Sequence, residues 1–458
     1  MKISQKRCCF LTKEFDRILN IIFEQEKEMK KCIIISLFIC VNLCFAKEIT
    51  LDEGLQLLVR NNMQLKSVES KLVQAKYKKF EVFSSWLPKL QLQGQFSQLS
   101  EPQIKVPPTM TNLFGSAFPP TLTSDKLYST NFSISQLLFS SGKVSSAYKI
   151  ASLNYESTKY EYEKTKEELE IQFKEIFLKT LLSKKILDVS NKAVEISSEN
   201  YKVSQQLYRE GRVSYLDFSS SQINYFNSEI NLLKVRNAYE IAKESLKNIL
   251  CVDFEVEPVG ELEEIYKQQD FDLQQLKSNI PKIYDVKILD TQKEVLTKNL
   301  HITRTEVLPV VSLIGNYSWT IDDYKKPIEQ WDDRYSWVVV LSWPIFSGGA
   351  TVSKYLQNKE TLKQINLTKE SLISGSELQL NSLYSTYLQL KESLDLAKQN
   401  LSLAEENYKV AKNYYLEGRS SYLELLQAEL NFSNTKVNYY QTLCDYMITC
   451  EKLKKYLK

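Results

Sequence analysis

Side chains able to do acid–base, nucleophilic or metal chemistry do not cluster in this sequence. Its single histidine, His301, has no cysteine or histidine companions, so it predicts a structural or surface role rather than a metal site. We find no glycine-rich phosphate loop and no nucleophile motif. A catalytic carboxylate pair stays open among 56 acidic residues, but no spacing selects one. The sequence therefore predicts neither an enzyme nor a bound cofactor or metal.

Net charge gives no argument for nucleic-acid binding, because 59 lysines and arginines nearly balance the acids. Charged residues do recur in one pattern, and the pattern occurs twice. Segments 199–250 and 406–457 are copies that run in register, 207 residues apart. Such a duplication predicts one structural unit used twice. The recurring residues are Tyr208, Glu210, Gly211, Arg212 and Asp217 in the first copy and Tyr415, Glu417, Gly418, Arg419 and Glu424 in the second.

Both copies lie within long stretches that lack helix breakers. No proline occurs between Gly142 and Pro258 or after Pro344. Apolar and small residues also alternate three and four positions apart on both sides of the second turn. This heptad spacing predicts an antiparallel helical hairpin in each copy, with tips at 210–212 and 417–419. The predicted seam of the second hairpin comprises Leu394, Ala397, Leu401, Ala404, Tyr408, Ala411 and Tyr415, then Leu423, Leu426, Leu430, Ser433, Val437, Tyr440, Cys444 and Met447.

Two amphipathic strands precede each hairpin. Apolar and polar residues alternate over about ten positions with aromatics near the ends, which is typical of outer-membrane barrel strands. A strand of a soluble sandwich is the alternative, but it would need a partner sheet that the chain does not supply. Each repeat is thus helix, strand, strand, long helix, turn, helix, and we expect one interwoven domain. The predicted strands are about 87–99 and 127–139 in repeat 47–260, and 308–320 and 334–345 in repeat 261–458; helices are predicted at 51–84 and 271–306.

The N-terminal region resembles a secretory signal peptide that starts late. Met29-Lys30-Lys31 is a basic start before the apolar run from Cys32 to Phe45, and Cys44 and Ala46 are small residues before a cleavage site at Lys47. We therefore expect 29–46 to be the signal peptide and 1–28 to be spurious upstream translation. Lipidation of Cys44 is the alternative, although Leu43 replaces the small residue expected before a lipidated cysteine.

Four membrane strands cannot close a barrel in one chain, since the smallest single-chain barrels use eight. An open sheet in lipid would leave unsatisfied backbone groups along both edges, at several kcal/mol for each group. Copies must therefore pool their strands. Eight strands leave an interior just filled by side chains, whereas twelve leave an aqueous lumen. The glutamine, serine and asparagine face of these strands suits a wet interior and favours a trimer.

The chain over 47–458 resembles the TolC-like outer-membrane efflux proteins, also called outer membrane factors. The resemblance rests on the duplicated unit, on Leu87-Pro88 and Leu308-Pro309 before the strands, and on the doubled turn with an acid six residues after its glycine. It implies a mainly α protein with membrane β-strands: a homotrimer with a 12-stranded outer-membrane β-barrel and a 12-helix periplasmic α-barrel. It also implies an exit duct that docks onto a periplasmic adaptor and an inner-membrane pump in a diderm bacterium.

The same resemblance assigns roles at the two tips. Glu210-Gly211-Arg212 and Glu417-Gly418-Arg419 match the turns that meet the adaptor. The resemblance implies a periplasmic gate formed by Asp217, Tyr415, Arg419, Glu424 and Gln427. Asp217 and Tyr415 match residues that link neighbouring protomers. Arg419 lies beside Ser420, which aligns with the family's arginine. Glu424 matches an inward acid that forms an axial ring, and Gln427 replaces a second acid of that ring.

A periplasmic coiled-coil adaptor or scaffold is the alternative class, because adaptors also carry a helical hairpin. Adaptors usually have one hairpin within small β domains, whereas this chain duplicates both the hairpin and the strand pair. The cargo is open at this level: drug efflux, metal export and protein secretion all fit, and so do different pumps and adaptors.

Overall fold

The computed structural model describes residues 47–98, 126–321, 327 and 331–457. The predicted signal peptide at 29–46, with Cys44, and the upstream residues 1–28 lie outside these ranges. Among the residues that are described, no helix combines the length and the apolar character needed to cross a membrane.

The chain is mainly helical, and each half has the predicted order of helix, strand, strand, long helix, turn and helix. The first half contains β1 (Lys47–Ile49), α1 (Leu51–Asn61), α2 (Met63–Phe83), β2 (Lys89–Gln98), β3 (Lys126–Phe139), α3 (Lys143–Arg209) and α4 (Tyr215–Leu250). The second contains β4 (Val256–Pro258), α5 (Leu262–Ile265), α6 (Leu273–Asn279), α7 (Tyr284–Thr305), β5 (Val310–Ile321), β6 (Asp332–Ser342), α8 (Ala350–Leu416) and α9 (Tyr422–Lys454). We call α3–α4 the first hairpin and α8–α9 the second hairpin.

The helical segment predicted over 51–84 is divided at Asn62, and polar side chains cap the start of both pieces. A capping box begins α1: Thr50 Oγ1 accepts from the Glu53 amide at 3.4 Å, and the Glu53 carboxylate accepts from the Thr50 amide at 3.2 Å. Asn62 separates α1 from α2. Its side-chain amide donates to the Ile249 carbonyl at 3.0 Å, which ties this break to the end of α4.

Proline sets two boundaries that differ from the predicted ones. Pro281 lies in a short 3₁₀ turn between α6 and α7, so the predicted helix over 271–306 is two helices. Strand β6 ends at Ser342, whereas the sequence predicts a strand to 345. Pro344 follows closely and has no N–H to donate to a strand ladder.

The elements form two compact units, and each contains segments of both repeats. One unit comprises the described residues up to Lys66, then Lys166–Lys277, and the chain from Gln379 onward. A short parallel pairing of β1 with β4 joins the start of the chain to the link between the repeats. Apolar side chains from both repeats form its core, among them Leu58, Phe173, Phe177, Leu246, Leu250, Leu262 and Leu443.

The other unit, Ser67–Thr165 and Ser278–Leu378, holds a four-stranded antiparallel sheet in the order β2-β3-β5-β6. Directly opposed residues of an antiparallel pair lie on the same face. The register therefore places all four predicted apolar faces on one side of the sheet and the polar faces on the other. One apolar row is Leu92, Phe132, Tyr317 and Tyr335; the neighbouring polar row is Gln93, Asn131, Ser318 and Arg334.

His301 lies on α7 in the same unit and is exposed. Its Nδ1 atom is 3.0 Å from the hydroxyl of Ser146, near the start of α3. This contact joins two helices, in agreement with the predicted structural or surface role.

Candidate functional site

The two hairpin tips have the same backbone structure. Gly211 and Gly418 both have φ of 71°, in the left-handed region that glycine adopts without a Cβ penalty. At the first tip the Gly211 amide donates to the Tyr208 carbonyl at 3.0 Å, and the following Arg212 amide donates to the Leu207 carbonyl at 2.9 Å. The second tip repeats both bonds. This pair of bonds is the Schellman motif that ends a helix.

Serine residues that the sequence analysis did not single out begin the second helix of each hairpin. Ser214 Oγ accepts from the Asp217 amide at 3.1 Å, and Ser421 Oγ accepts from the Glu424 amide at 3.4 Å. Ser214 also donates its hydroxyl proton to Asp217 at 2.7 Å. The signal was present in the sequence as serine with an acid three residues later, which is the capping pattern of a helix start.

Both tips carry a glutamate–arginine pair on their exposed ends. The Glu210 carboxylate lies 3.7 Å from the Arg212 guanidinium, and the Glu417 carboxylate lies 3.2 Å from the Arg419 guanidinium. Arg419 also stacks on the Tyr414 ring, with its Cζ atom 4.8 Å from the ring centre. The predicted docking residues are therefore exposed and arranged alike at the two tips.

Tyr415 is placed differently from the other predicted gate residues. It is buried in a core cluster with Tyr408, Tyr422 and Leu425, and its ring meets the Tyr422 ring edge-on at 5.8 Å. Burial raises the pKa of Tyr415 and the Asp217 carboxylate raises it further, while the nearby Ser204 hydroxyl opposes the change. The hydroxyl is thus enclosed within the chain.

Arg419, Glu424 and Gln427 are exposed, and Asp217 is half-buried. Glu424 and Gln427 lie three residues apart on α9, so they share one face of the helix. Asp217 occupies the matching capping position on α4. The structure of the chain therefore brings Glu424 together with Gln427, and it places Asp217 within electrostatic reach of Tyr415.

A buried carboxylate that the sequence analysis missed lies close to the second tip. Glu429 on α9 is only 5% exposed, and its Oε2 atom accepts a hydrogen bond from Asn200 Nδ2 on α3 at 2.9 Å. Heptad patterning could not find it, because a glutamate is not counted as part of an apolar seam.

The two hairpins differ sharply in burial although their sequences are copies. Tyr415 and Tyr422 in the second hairpin are 3% and 1% exposed. Their counterparts Tyr208 and Tyr215 in the first hairpin are 41% and 67% exposed. The reason is that α3 covers the second hairpin. No described element covers Tyr208 and Tyr215, whose rings are in contact and form the aromatic cluster of the first hairpin.

The covering surface is duplicated as well. Ile196 and Val203 on α3 pack against the core of the second hairpin. Their counterparts on α8, Leu403 and Val410, are exposed, with Leu403 60% exposed. The chain therefore presents an uncovered aromatic cluster on its first hairpin and an uncovered apolar stripe, Leu403 and Val410, on α8. These two surfaces are the sequence counterparts of the second hairpin's aromatic core and of the α3 stripe that packs on it within the chain.

The sheet also has unpaired surfaces. Within the described residues, β2 and β6 are the edge strands and their outer edges pair with no strand. Large apolar side chains on these edges are exposed, including Leu92, Phe96, Tyr335 and Trp337. In the described part of the chain, no group of His, Cys, Asp and Glu is arranged to hold a metal ion.

Comparison with known proteins gives a family match. The profile of the outer membrane efflux proteins matches residues 54–251 and 285–457. No curated protein matches the sequence. The fold is similar to that of CusC, with a TM-score of 0.76 at 15% identity over 89% of this chain and 91% of CusC. It is also similar to the Campylobacter jejuni CmeC outer membrane channel, with a TM-score of 0.74 at 16% identity over 89% of this chain and 85% of CmeC. The Vibrio cholerae outer membrane protein VceC gives a TM-score of 0.69 at 13% identity over 89% of this chain and 94% of VceC.

Proposed function

The chain belongs to the outer membrane efflux protein family, and we propose that it is the exit duct of a tripartite efflux or type I secretion system. In this proposal the duct is a passive channel that opens at its periplasmic tips when an adaptor and an inner-membrane pump engage it. The family consists of efflux channels rather than enzymes, which answers the enzyme alternative, and the match over both repeats sets aside the adaptor alternative.

The uncovered surfaces of the two hairpins carry the proposal. The apolar stripe on α8 and the aromatic cluster on the first hairpin are complementary. They correspond to the stripe on α3 and the aromatic core of the second hairpin, which pack together within the chain. The two surfaces belong to different hairpins of the chain, so a contact between them in neighbouring copies would be heterologous and would repeat from copy to copy. A heterologous contact generates a ring when the rotation closes. Three copies close this ring in the proposed homotrimer, in line with the resemblance described above.

The open sheet supports the same assembly. In a ring, the outer edge of β6 in one copy would pair with the outer edge of β2 in the next, which satisfies the backbone groups that lipid cannot. Three sheets of four strands give a 12-stranded β-barrel in the outer membrane. The apolar rows would face lipid and the glutamine, serine and asparagine rows would face a wet lumen. The helices of three copies would form a 12-helix periplasmic α-barrel.

The proposed gate lies at the tips. Three exposed Glu424 carboxylates around one axis would repel one another and attract cations, which makes the narrowest point favour cations. Asp217, Tyr415, Arg419 and Gln427 are proposed to hold this tip closed. The exposed Glu-Gly-Arg turns at 210–212 and 417–419 are the proposed adaptor-docking surface.

The test is conductance across a planar lipid bilayer by protein purified from the outer-membrane fraction. The proposal predicts a detergent-dependent, heat-modifiable oligomer that conducts ions at a low, gated level. A soluble monomer that gives no conductance would contradict it. Co-purification from intact cells, with mass spectrometry of the associated proteins, would identify the adaptor and pump.

A further inference from the structure

Glu429 on α9 is buried near the second tip, in a polar cluster to which α3, α4 and α8 also contribute side chains. On α3, Asn200 Nδ2 donates a hydrogen bond to the Glu429 carboxylate at 2.9 Å. Burial raises the pKa values of the phenol groups of Tyr408 on α8 and Tyr422 on α9. Glu429 lies close enough to raise both pKa values further. On α4, Asn224 completes this polar cluster through a 3.3 Å hydrogen bond to the Tyr422 hydroxyl.

Two further charged groups lie near this site, Lys412 on α8 and Glu199 on α3. Lys412 on α8 lowers the pKa of Glu429 from a distance. Its ammonium is instead 3.5 Å from the carboxylate of Glu199 on α3. Within the described residues, Glu429 makes no ion pair of its own. A carboxylate so enclosed is costly to ionise, because burial removes its hydration.

Burial raises the pKa of Glu429 from 4.5 to about 7, while the Asn200 hydrogen bond and Lys412 oppose the change. If α3 separates from the second hairpin, the carboxyl group becomes hydrated and its pKa returns towards 4.5. The packed state then binds the proton more tightly than the separated state. Its extra stability is complete below pH 4.5 and is lost as the pH rises to about 7.

The duplication provides an uncharged counterpart. Gln222 in the first repeat is the counterpart of Glu429 in the second. Asn407 in the second repeat is the counterpart of Asn200 in the first. Asn407 is exposed and Gln222 is half-buried in the single chain. If copies pack head to tail, as in the proposed function, these two amides meet between copies. The contact within a copy would then carry a titratable group, and the contact between copies would not.

We propose that Glu429 is a proton-controlled latch that holds α3 against the second hairpin within each protomer, while the neutral Gln222–Asn407 pair holds neighbouring protomers together at all pH values. The inference rests on the proposed function for its consequence, which is that the tip opens within protomers and not between them. A protonated Glu429 keeps the tip packed. An ionised Glu429 draws in water and releases α3.

The experiment measures amide hydrogen exchange, by mass spectrometry, on the full chain in lipid nanodiscs between pH 5 and 8. Rates are corrected for the intrinsic pH dependence of exchange. Peptides over 196–207 and 422–432 should lose protection by up to about tenfold per pH unit towards pH 7 and then reach a plateau. Glu429→Gln should keep high protection at every pH. Glu406→Gln, an exposed acid on α8, is the matched control and should behave like the wild type.

Two further variants keep the test decisive if Glu429→Gln folds poorly. Asn200→Ala removes the hydrogen bond to the charged form and so raises the pKa of the packed state further. Protection should therefore continue to fall to a higher pH before it reaches its plateau. Gln222→Glu should make peptides over 215–226 sensitive to pH in the assembled protein. Protection of a folded wild-type tip that does not change with pH, or unchanged pH dependence in Glu429→Gln, overturns the latch. If the wild-type protein conducts and one of these two results is found, the latch is refuted and the proposed function stands. If the wild-type protein never conducts, the proposed function is refuted.

Discussion

Tyr208 and Tyr415 occupy the same position in the two repeats, yet Tyr208 is 41% exposed and Tyr415 is 3% exposed. Their surroundings differ because α3 packs against the second hairpin, whereas the first hairpin has no such cover within the chain. A duplicated sequence in which only one copy is buried points to a partner surface for the other. The exposed stripe on α8 has the composition and spacing of that surface.

Alanine substitution of these two tyrosines should therefore have different consequences. Tyr415→Ala should destabilise each chain by roughly 3–5 kcal/mol, as for other large buried aromatics. Tyr208→Ala should leave the isolated chain almost as stable and should weaken the assembly instead. Chemical denaturation in detergent measures the first effect, and native mass spectrometry measures the second. Equal losses of chain stability in the two variants would contradict the assignment.

A charge on the α8 stripe should also break the assembly. Leu403→Glu places a carboxylate where the proposed neighbour's aromatic cluster packs, so it should produce monomers or dimers. Ser402→Glu adds the same charge at the adjacent exposed position and serves as the control. Size-exclusion chromatography with light scattering measures the mass of the protein in each case. If Leu403→Glu assembles as well as Ser402→Glu, α8 is not the contact surface.

Removal of the proposed carboxylate ring should change ion selectivity. Glu424→Gln removes three negative charges from the constriction of a trimer, so cation preference and block by multivalent cations should both weaken. Gln427→Glu adds three acids on the same face of α9 and should strengthen both effects. Reversal potentials under a salt gradient in planar bilayers give the measurement. Selectivity that is unchanged in both variants would place Glu424 away from the pore axis.

Asp217 has two possible roles at the first tip, and a neighbouring residue separates them. Ser214→Ala removes the serine cap of α4 and should cost about 1 kcal/mol of local stability. Asp217→Ala loses the interaction with this cap and also the charge proposed to hold the gate, so it should raise leak conductance more than Ser214→Ala. Equal leak in the two variants would reduce Asp217 to a helix-capping residue.

Heptad spacing predicted the buried face of a helix correctly where the buried residues are apolar. The seam on α8 is confirmed at Leu394, Ala404 and Tyr408, which are all buried. Near the second tip the predicted seam on α9 is wrong, because Leu423 and Leu430 are exposed. The buried residues there are Tyr422, Leu425 and Glu429. They include a glutamate and a tyrosine with a polar end, which a pattern of apolar residues does not count.

Other features depend on long-range contacts that a sequence pattern does not contain. Alternation along each strand predicted its apolar face, but only the register shows that all four faces lie on one side of the sheet. At the break between α1 and α2, the Asn62 side chain bonds the Ile249 carbonyl, 187 residues away. The roles at the tips came from the family resemblance, since exposed charges near a turn are common on helical surfaces.

In the proposed assembly copies of this chain complete one another, and the mass of the folded protein extracted from the outer membrane measures this assembly. Native mass spectrometry of unheated protein in mild detergent should give three copies of the mature chain, with dissociation only on heating. A folded single subunit that stays stable without detergent would contradict the account.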